Sequence, residues 1–124
     1  MTTVVDASVV LAWLQDEPGA DEAEPMLMEG LIGAPNWSEV LQKARQNGAP
    51  ADIVARLLTS FGLKVVDATE ADARVAADLW RRSAPLSLAD RFCLALGVRT
   101  GLPVATTDGA WADVAGQSRV IVIR

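Results

Sequence analysis

The sequence predicts an α/β fold, a three-layer sandwich in which a mainly parallel central sheet is flanked by helices. Three observations support this. Five short apolar runs suit buried strands, at residues 2–5, 31–34, 63–66, 104–106 and 120–123. Helical patterns separate most of these runs and are long enough to return the chain to the start of the next parallel strand. Pro and Gly are scattered singly, with no linker, so residues 1–124 are expected to form one domain.

Six helices are predicted beside these strands. Their ranges are 8–15, 20–29, 36–46, 51–60, 69–82 and 87–98. Asn47-Gly48 is a helix-ending signal for the third helix, and Pro50 precedes the fourth. The fifth opens at Thr69 with "TEAD", a capping-box pattern. Its apolar residues recur at positions 73, 76 and 80, which predicts that Trp80 lies in the core.

The totals exclude several classes of protein. A net charge of −5 and a pI near 4.6 argue against binding of nucleic acid by bulk positive charge, so any such contact must be local. The chain has no histidine. This removes imidazole acid–base pairs, Ser-His-Asp triads and the usual His-bearing zinc sites. Any chemistry must therefore use carboxylates, hydroxyls or arginine.

Cysteine usage and the first apolar stretch bear on the compartment. Cys93 is the one cysteine and stands among apolar residues, so it is expected to be a buried filler in a reducing compartment. The first apolar stretch, "TTVVDASVVLAWL", has no positive leading segment and is interrupted by Asp6. It is therefore expected to be neither a signal peptide nor a membrane span. A soluble protein of the cytoplasm is the expectation.

Four carboxylates stand at a strand end or in the first turn of a helix, namely Asp6, Glu39, Asp90 and Asp108. Each has an ordinary explanation when taken alone. Asp6 and Asp108 fit helix N-caps, while Glu39 and Asp90 fit capping boxes begun by the residues at 36 and 87. In a parallel α/β sheet, however, side chains that follow strands converge beyond the carboxyl ends of the strands. We therefore expect the four acids to meet at one edge of the sheet.

Carboxylates gathered at one edge repel one another. Two unit charges about 4 Å apart repel by roughly 4 kcal/mol at an effective dielectric near 20, so an unaided cluster takes up protons or spreads apart. A divalent cation relieves this repulsion, and Mg²⁺ or Mn²⁺ suits a site made only of oxygen ligands. The pattern thus predicts a metal site formed by Asp6, Glu39, Asp90 and Asp108.

Two hydroxyl residues are candidates for supporting this site. Ser8 lies two residues after Asp6, and Thr106 lies two residues before Asp108. From these positions each can hydrogen-bond a carboxylate or a metal-bound water, behind the ligands themselves. Ordinary turn and cap chemistry explains the same residues equally well.

Four stretches resemble, in order and spacing, the acidic motifs of PIN domains, and in particular those of VapC-type toxins, the ribonuclease halves of bacterial toxin–antitoxin modules. They are "VVDASVVLAWL", "APNWSEVLQKA", "LSLADRFCLALG" and "PVATTDGAW". The resemblance covers nearly the whole chain and implies a PIN-like fold. It implies that Asp6, Glu39, Asp90 and Asp108 are the acidic quartet that holds magnesium. Thr106 would correspond to the hydroxyl residue that precedes the last acid in many members.

The same resemblance implies an activity and partners. The activity is Mg²⁺- or Mn²⁺-dependent hydrolysis of RNA phosphodiester bonds, with the four acids as catalytic residues. The partners are the RNA substrate, a second copy in a homodimer, and a cognate VapB-like antitoxin whose tail places a basic residue among the acids. The last acid varies in position within the family, so Asp113 competes with Asp108. Asp108 is preferred because it directly follows a strand.

Arginine and tryptophan mark possible contacts with partners. Arg91 shares a helix with Asp90 and is a candidate for binding RNA phosphates. Arg45 and Arg99 are instead expected to be surface residues with local ion pairs. Trp13 precedes an acidic stretch and fits either one edge of a groove for an apolar partner helix or an ordinary amphipathic helix.

Rival families fit less well. A haloacid-dehalogenase-like phosphatase needs a second Asp two residues after the first, where this chain has Ser8. A response-regulator receiver needs a lysine after a late strand, and neither Lys43 nor Lys64 is so placed. The alternative that remains is a non-catalytic PIN-like interaction module. Its mark would be a missing acid, and all four acids are present.

Overall fold

Residues 2–82 and 84–123 are described by the computed structural model, and within them the chain forms five strands and six α-helices. The strands are β1 (Val4–Val5), β2 (Leu31–Gly33), β3 (Lys64–Val66), β4 (Val104–Thr106) and β5 (Val120–Val122). The helices are α1 (Ala7–Leu14), α2 (Ala20–Leu27), α3 (Ala34–Gln46), α4 (Ala51–Ser60), α5 (Glu70–Asp78) and α6 (Leu88–Thr100). A short 3-10 helix, Gly109–Asp113, follows β4. None of the described helices is long and apolar enough to cross a membrane.

All five strands belong to one parallel sheet in the order β3-β2-β1-β4-β5. The central strand β1 pairs with β2 on one side and with β4 on the other, with Val4 opposite both Leu31 and Val104. The carboxyl ends of β1 and β4 are therefore adjacent. The five predicted strands and the mainly parallel sheet are confirmed, and the order reverses direction between β1 and β4, where ligands collect in open α/β sheets.

Successive residues of the central strand pack into two separate hydrophobic cores, one on each face of the sheet. Val5 and its neighbours on one face of the sheet pack with buried residues of α1, α2, α3 and α4. Val4 and Val104, on the other face, pack with Leu94 of α6 and with Trp111. Cys93 lies in this second core with no exposed surface, as the sequence predicts. Helices thus cover both faces of the sheet, which confirms the predicted three layers.

The predicted course of the fifth helix is wrong at its end. Helix α5 ends at Asp78 rather than continuing to residue 82, and Trp80 is 56% exposed rather than in the core. The buried side of α5 consists of Asp72, Ala76 and Leu79, spaced at i, i+4 and i+7. Asp72 is buried because Arg99 of α6 donates to both of its carboxylate oxygens at 2.9 Å. The spacing of apolar residues does not reveal a buried helix face that includes a paired charge. The apolar pattern at positions 73, 76 and 80 therefore predicted the wrong face of α5.

Gly97 lets α6 lie directly against β4, and we expect Gly97→Ala to destabilise the chain. A Cβ atom at this position would overlap Val104 Cγ2. Alanine gains up to about 1 kcal/mol of helix propensity over glycine, but overpacking a core costs about 1 to 3 kcal/mol, so the clash prevails. Urea unfolding measures the loss. The double variant with Val104→Ala should be destabilised by less than the sum of the two single variants, because the smaller side chain relieves the clash. Additive effects would contradict this account.

Candidate metal centre

Two of the predicted acids follow adjacent strands. Asp6 comes directly after β1 and is the N-cap of α1, with Val9 N–H donating to its Oδ1 at 3.1 Å. Asp108 follows β4 and caps the 3-10 helix, with Ala110 N–H donating to Oδ1 at 3.0 Å. Both ordinary cap explanations are therefore correct. They are not exclusive, because β1 and β4 are paired and their carboxyl ends share one edge of the sheet.

The side chain of Asp6 is only 4% exposed, and hydrogen-bond donors surround its carboxylate. Ser8 Oγ donates to Asp6 Oδ1 at 2.6 Å, and Thr106 Oγ1 donates to Asp6 Oδ2 at 2.7 Å. The two hydroxyls that the sequence singled out thus lie on either side of this carboxylate. Because short bonds from hydroxyls favour the charged form, they partly offset the cost of burying it.

Backbone groups fix the direction of these two hydroxyls. Thr107 N–H donates to Ser8 Oγ at 3.0 Å, and Asp108 N–H donates to Thr106 Oγ1 at 3.1 Å. Each hydroxyl therefore accepts from the backbone after β4 and gives its single proton to Asp6. The pair connects the segment that carries Asp108 to the carboxylate of Asp6, so the positions of the two acids are coupled.

The other two acids lie on helices. Asp90, in the first turn of α6, forms a complete capping box, since its backbone N–H donates to Ser87 Oγ at 3.1 Å and its Oδ2 accepts from Ser87 N–H at 2.9 Å. The capping box expected for Glu39 is wrong. Helix α3 begins at Ala34 with Gly33 as its N-cap, so Asn36 lies inside the first turn and Glu39 follows one turn later. Glu39 therefore has no capping role to explain its position.

The charges of the four acids act on one another. Burial is the main cause that raises the pKa of Asp6 from 3.8 to about 6, and the charge of Asp90 adds to it. The pKa of Glu39 is raised by burial and then by the charges of Asp90 and Asp6. Burial also raises the pKa of Asp90 against two hydrogen bonds from Ser87, and the charge of Asp108 acts in the same direction. The pKa of the Cys93 thiol, beneath them, is raised by burial and by Asp6, Asp90 and Glu39 together.

The oxygen donors of the four acids suit a divalent cation, but their side chains do not form a complete set of metal ligands. Within 2–82 and 84–123, no group of three or more Asp, Glu or Cys side chains is placed to hold a metal ion. Like charges in a partly buried site separate or take up protons. Carboxylate oxygens with no cationic side chain hydrogen-bonded to them are the ligands that hard divalent ions prefer. The donor set therefore fits Mg²⁺ or Mn²⁺.

Other residues considered from the sequence have different surroundings. Arg91 donates from Nη1 to Ala76 O of α5 at 2.9 Å, so this part of its guanidinium holds two helices together. A phosphate contact by Arg91 stays a prediction. Arg99 is paired with Asp72, as its expected local ion pair requires. Asp113 is exposed at the far end of the 3-10 helix, whereas the charge of Asp108 raises the pKa of Asp90.

Asn36 is the residue that sequence reasoning missed. It is 1% exposed, and its Nδ2 donates to Ala89 O of α6 at 3.3 Å. A local signal was present. Pro35 is typical of the first helical positions, so α3 should begin near residue 34, which places Asn36 in the first turn on the same side as Glu39.

The metal-free chain is expected to lose stability as pH rises from about 4 to about 7. The folded-state pKa of Asp6, about 6, exceeds its ordinary value of 3.8, so in this window the folded chain binds more protons than the unfolded chain. Its contribution is complete below the ordinary pKa and is lost as pH passes about 6, a change of about 3 kcal/mol. Urea unfolding in EDTA at both pH values checks this. Asp6→Asn should show a shallower decline, and equal slopes would contradict the assignment.

Comparison with known proteins identifies the family. A family model for the PIN domain matches residues 3–117. Ribonuclease VapC42 of Mycobacterium tuberculosis is 33% identical over 114 residues, which cover 82% of this chain and 86% of that protein. The chain belongs to the PIN-domain family, among the VapC proteins. The family expected from the four acidic motifs is thereby confirmed.

Solved structures agree with this PIN-domain fold. A toxin–antitoxin complex from Klebsiella pneumoniae matches with a TM-score of 0.75 and 21% identity, covering 97% of this chain and 96% of that one. VapC20 of Mycobacterium tuberculosis, described as a toxin that cleaves the sarcin-ricin loop, matches with a TM-score of 0.72 and 15% identity, covering 94% and 95%. At these identities the likeness establishes the shared fold.

Proposed function

We propose that this PIN-domain protein is an Mg²⁺- or Mn²⁺-dependent endoribonuclease that acts as the toxin of a toxin–antitoxin pair. The observation that carries the proposal is a group of carboxylates that interact electrostatically: burial is the largest cause that raises the pKa of Asp6, Glu39 and Asp90, and the charges of neighbouring acids raise each of the three further. The similarity to ribonuclease VapC42 supports RNA as the substrate. Asp6, Glu39, Asp90 and Asp108 would hold the cation.

The chain's own groups account for most of what such a site needs. A bound divalent cation supplies charge neutralisation at the scissile phosphate and acidifies a water molecule. Ser8 and Thr106 orient Asp6 by donating to its two oxygens. The Ser87 capping box orients Asp90. Because both carboxylates are already held by hydrogen-bond partners, little ordering remains to be done when the cation binds.

The choice between Asp108 and Asp113 has a direct test. Asp108→Asn should lower RNA cleavage at least about 10-fold, because the charge of Asp108 raises the pKa of Asp90, while Asp113→Asn should change it less than about twofold. The two variants are a matched pair, since both remove one charge from the same 3-10 segment. The measurement is initial cleavage rate of a labelled RNA at fixed Mn²⁺. The reverse ranking would move the fourth acid to Asp113.

The antitoxin is part of the same proposal. The Klebsiella pneumoniae structure that shares this fold is a toxin–antitoxin complex, which supports a VapB-like partner for this chain. Trp13 packs edge-on against Phe61 and donates to Glu24 at 3.2 Å, so it belongs to the packing between α1 and its neighbours. Beside it, Leu11, Leu14 and Val54 line an apolar cleft suited to an apolar partner segment. The homodimer stays a prediction, to be measured by light scattering.

Expression in cells tests the toxin role separately from the chemistry. The parent chain expressed alone should arrest growth, and Asp6→Asn should not. Growth unaffected by the parent, with Asp6→Asn behaving alike, would favour a non-catalytic interaction module.

A further inference from the structure

The side chain of Asn36 connects the helices that carry Glu39 and Asp90. Its Nδ2 donates to the carbonyl oxygen of Ala89, the residue before Asp90, at 3.3 Å. The contact crosses from the first turn of α3 to the first turn of α6 and lies in a region where Asn36 is 1% exposed. It therefore joins two segments that are far apart in sequence and that carry Glu39 and Asp90, whose charges interact.

The nitrogen and the oxygen of the Asn36 amide face different elements of the fold. The Asn36 side chain also lowers the pKa of Glu39, one turn later on α3, against the larger effect of burial. Its Oδ1 is buried without a hydrogen-bond partner and lies near Gly33, where an added Cβ would stand 3.3 Å away. The amide orientation is thus defined, because the donor side meets Ala89 O and the acceptor side faces the backbone of β2.

A buried amide with one oxygen left unpaired costs free energy, which an apolar residue of similar size would avoid. Packing alone therefore does not explain an asparagine here. Its donor meets the carbonyl before Asp90, and the same side chain lowers the pKa of Glu39, so both effects bear on the acidic site. Among the described residues, the other side-chain links from α6 to a helix, Arg99 with Asp72 and Arg91 with Ala76 O, lead to α5 and to none of the four acids.

We propose that Asn36 is a positioning residue of the candidate metal centre, which sets the separation of the Glu39 and Asp90 carboxylates by joining α3 to the first turn of α6. The inference rests on the proposed function, since it assigns a role toward the cation that those carboxylates would hold. Partners placed behind metal ligands contribute about 10- to 100-fold in metal affinity.

The test compares Mn²⁺ binding by calorimetry in the full chain and its variants. Asn36→Leu keeps the size of the side chain and removes the donor, and Asn36→Ser keeps a hydroxyl too short to reach Ala89 O. Both are expected to raise the Mn²⁺ Kd about 10-fold. Asp72→Asn is the matched control, because it also weakens a buried polar link to α6 but contacts none of the four acids. Its Mn²⁺ Kd should stay within about twofold of the parent, while its melting temperature falls.

Cleavage at saturating Mn²⁺ adds a second measurement. Activity of the Asn36 variants should recover substantially as Mn²⁺ is raised, since their defect lies in holding the cation. The positioning role would be overturned if either folded Asn36 variant bound Mn²⁺ with the Kd of the parent, or if Asp72→Asn lost as much Mn²⁺ affinity as the Asn36 variants. Either result would leave the ribonuclease proposal in place. A parent chain that neither binds Mn²⁺ nor cleaves RNA would overturn both.

Discussion

Asp6→Asn is expected to lower RNA cleavage by more than about 100-fold and, in the absence of metal, to make the chain more stable at pH 7. Removing a partner behind a metal ligand costs about 10- to 100-fold, so removing a central carboxylate should cost more. Stability rises for a different reason. At pH 7 the folded chain carries Asp6 ionised above its pKa of about 6, against an ordinary value of 3.8, and a neutral amide avoids that penalty. The gain should be on the order of 1 to 3 kcal/mol.

The hydrogen bonds around Asp6 tolerate this substitution. Asparagine keeps one acceptor oxygen, and the hydroxyl that faces the new amide can turn and accept, because its oxygen has a second lone pair. Thr106 Oγ1 already accepts from Asp108 N–H, so this adjustment leaves the backbone contact in place. Loss of cleavage should therefore accompany an intact fold.

Asp78→Asn is the control for this prediction. It makes the same chemical change at an exposed position at the end of α5. Cleavage by a labelled RNA assay and urea unfolding in EDTA measure the two effects, and Asp78→Asn should leave both near the parent values. An Asp6→Asn chain that cleaves RNA at the parent rate would remove Asp6 from the site. An Asp6→Asn chain less stable than the parent would show that its hydrogen bonds outweigh the buried charge.

The centre of the sheet was predictable from the sequence because β1 and β4 are short, mainly apolar runs buried on both faces. Val4 and Val5 pack into the cores on opposite faces of the sheet, so both positions need apolar residues. The resulting apolar run is recognisable in the sequence. Helix α5 was predicted less well. Its buried side begins with Asp72, which is buried only because Arg99 reaches it from α6. That pairing depends on tertiary contact, and no local pattern reports it.

The acids of the candidate site were predictable as types and positions, but their surroundings were only partly so. Strand ends and first turns suggested Asp6, Asp90 and Asp108, and the caps expected there are present. Glu39 was assigned a cap by the spacing of Asn36, whereas Pro35 starts α3 earlier and places Asn36 inside the helix. The link from Asn36 to Ala89 joins residues 53 positions apart, so its existence follows from packing of α3 on α6 and not from local sequence.

Removing divalent metal is expected to abolish cleavage, and adding Mn²⁺ should raise the melting temperature of the parent but not of the double variant Asp6→Asn/Asp90→Asn. A ligand that binds only the folded chain stabilises it by about 2.7 kcal/mol at 100 times its Kd. In the parent, part of this gain is relief of repulsion, because burial and neighbouring charges raise the pKa of Asp6 and Asp90. The double variant lacks that repulsion as well as the ligands, so it should be the more stable chain in EDTA and the less responsive one in Mn²⁺.

Acidity should weaken the response to Mn²⁺, because protons and metal compete for the same oxygens. With the pKa of Asp6 near 6, the Mn²⁺-induced shift in melting temperature should be large at pH 7.5 and small at pH 5. Differential scanning calorimetry at the two pH values, each with EDTA and with Mn²⁺, measures this difference. Asp78→Asn should follow the parent at both pH values, since its change lies outside the site. A shift of equal size at both pH values, or one retained by the double variant, would mean that Mn²⁺ binds elsewhere on the chain.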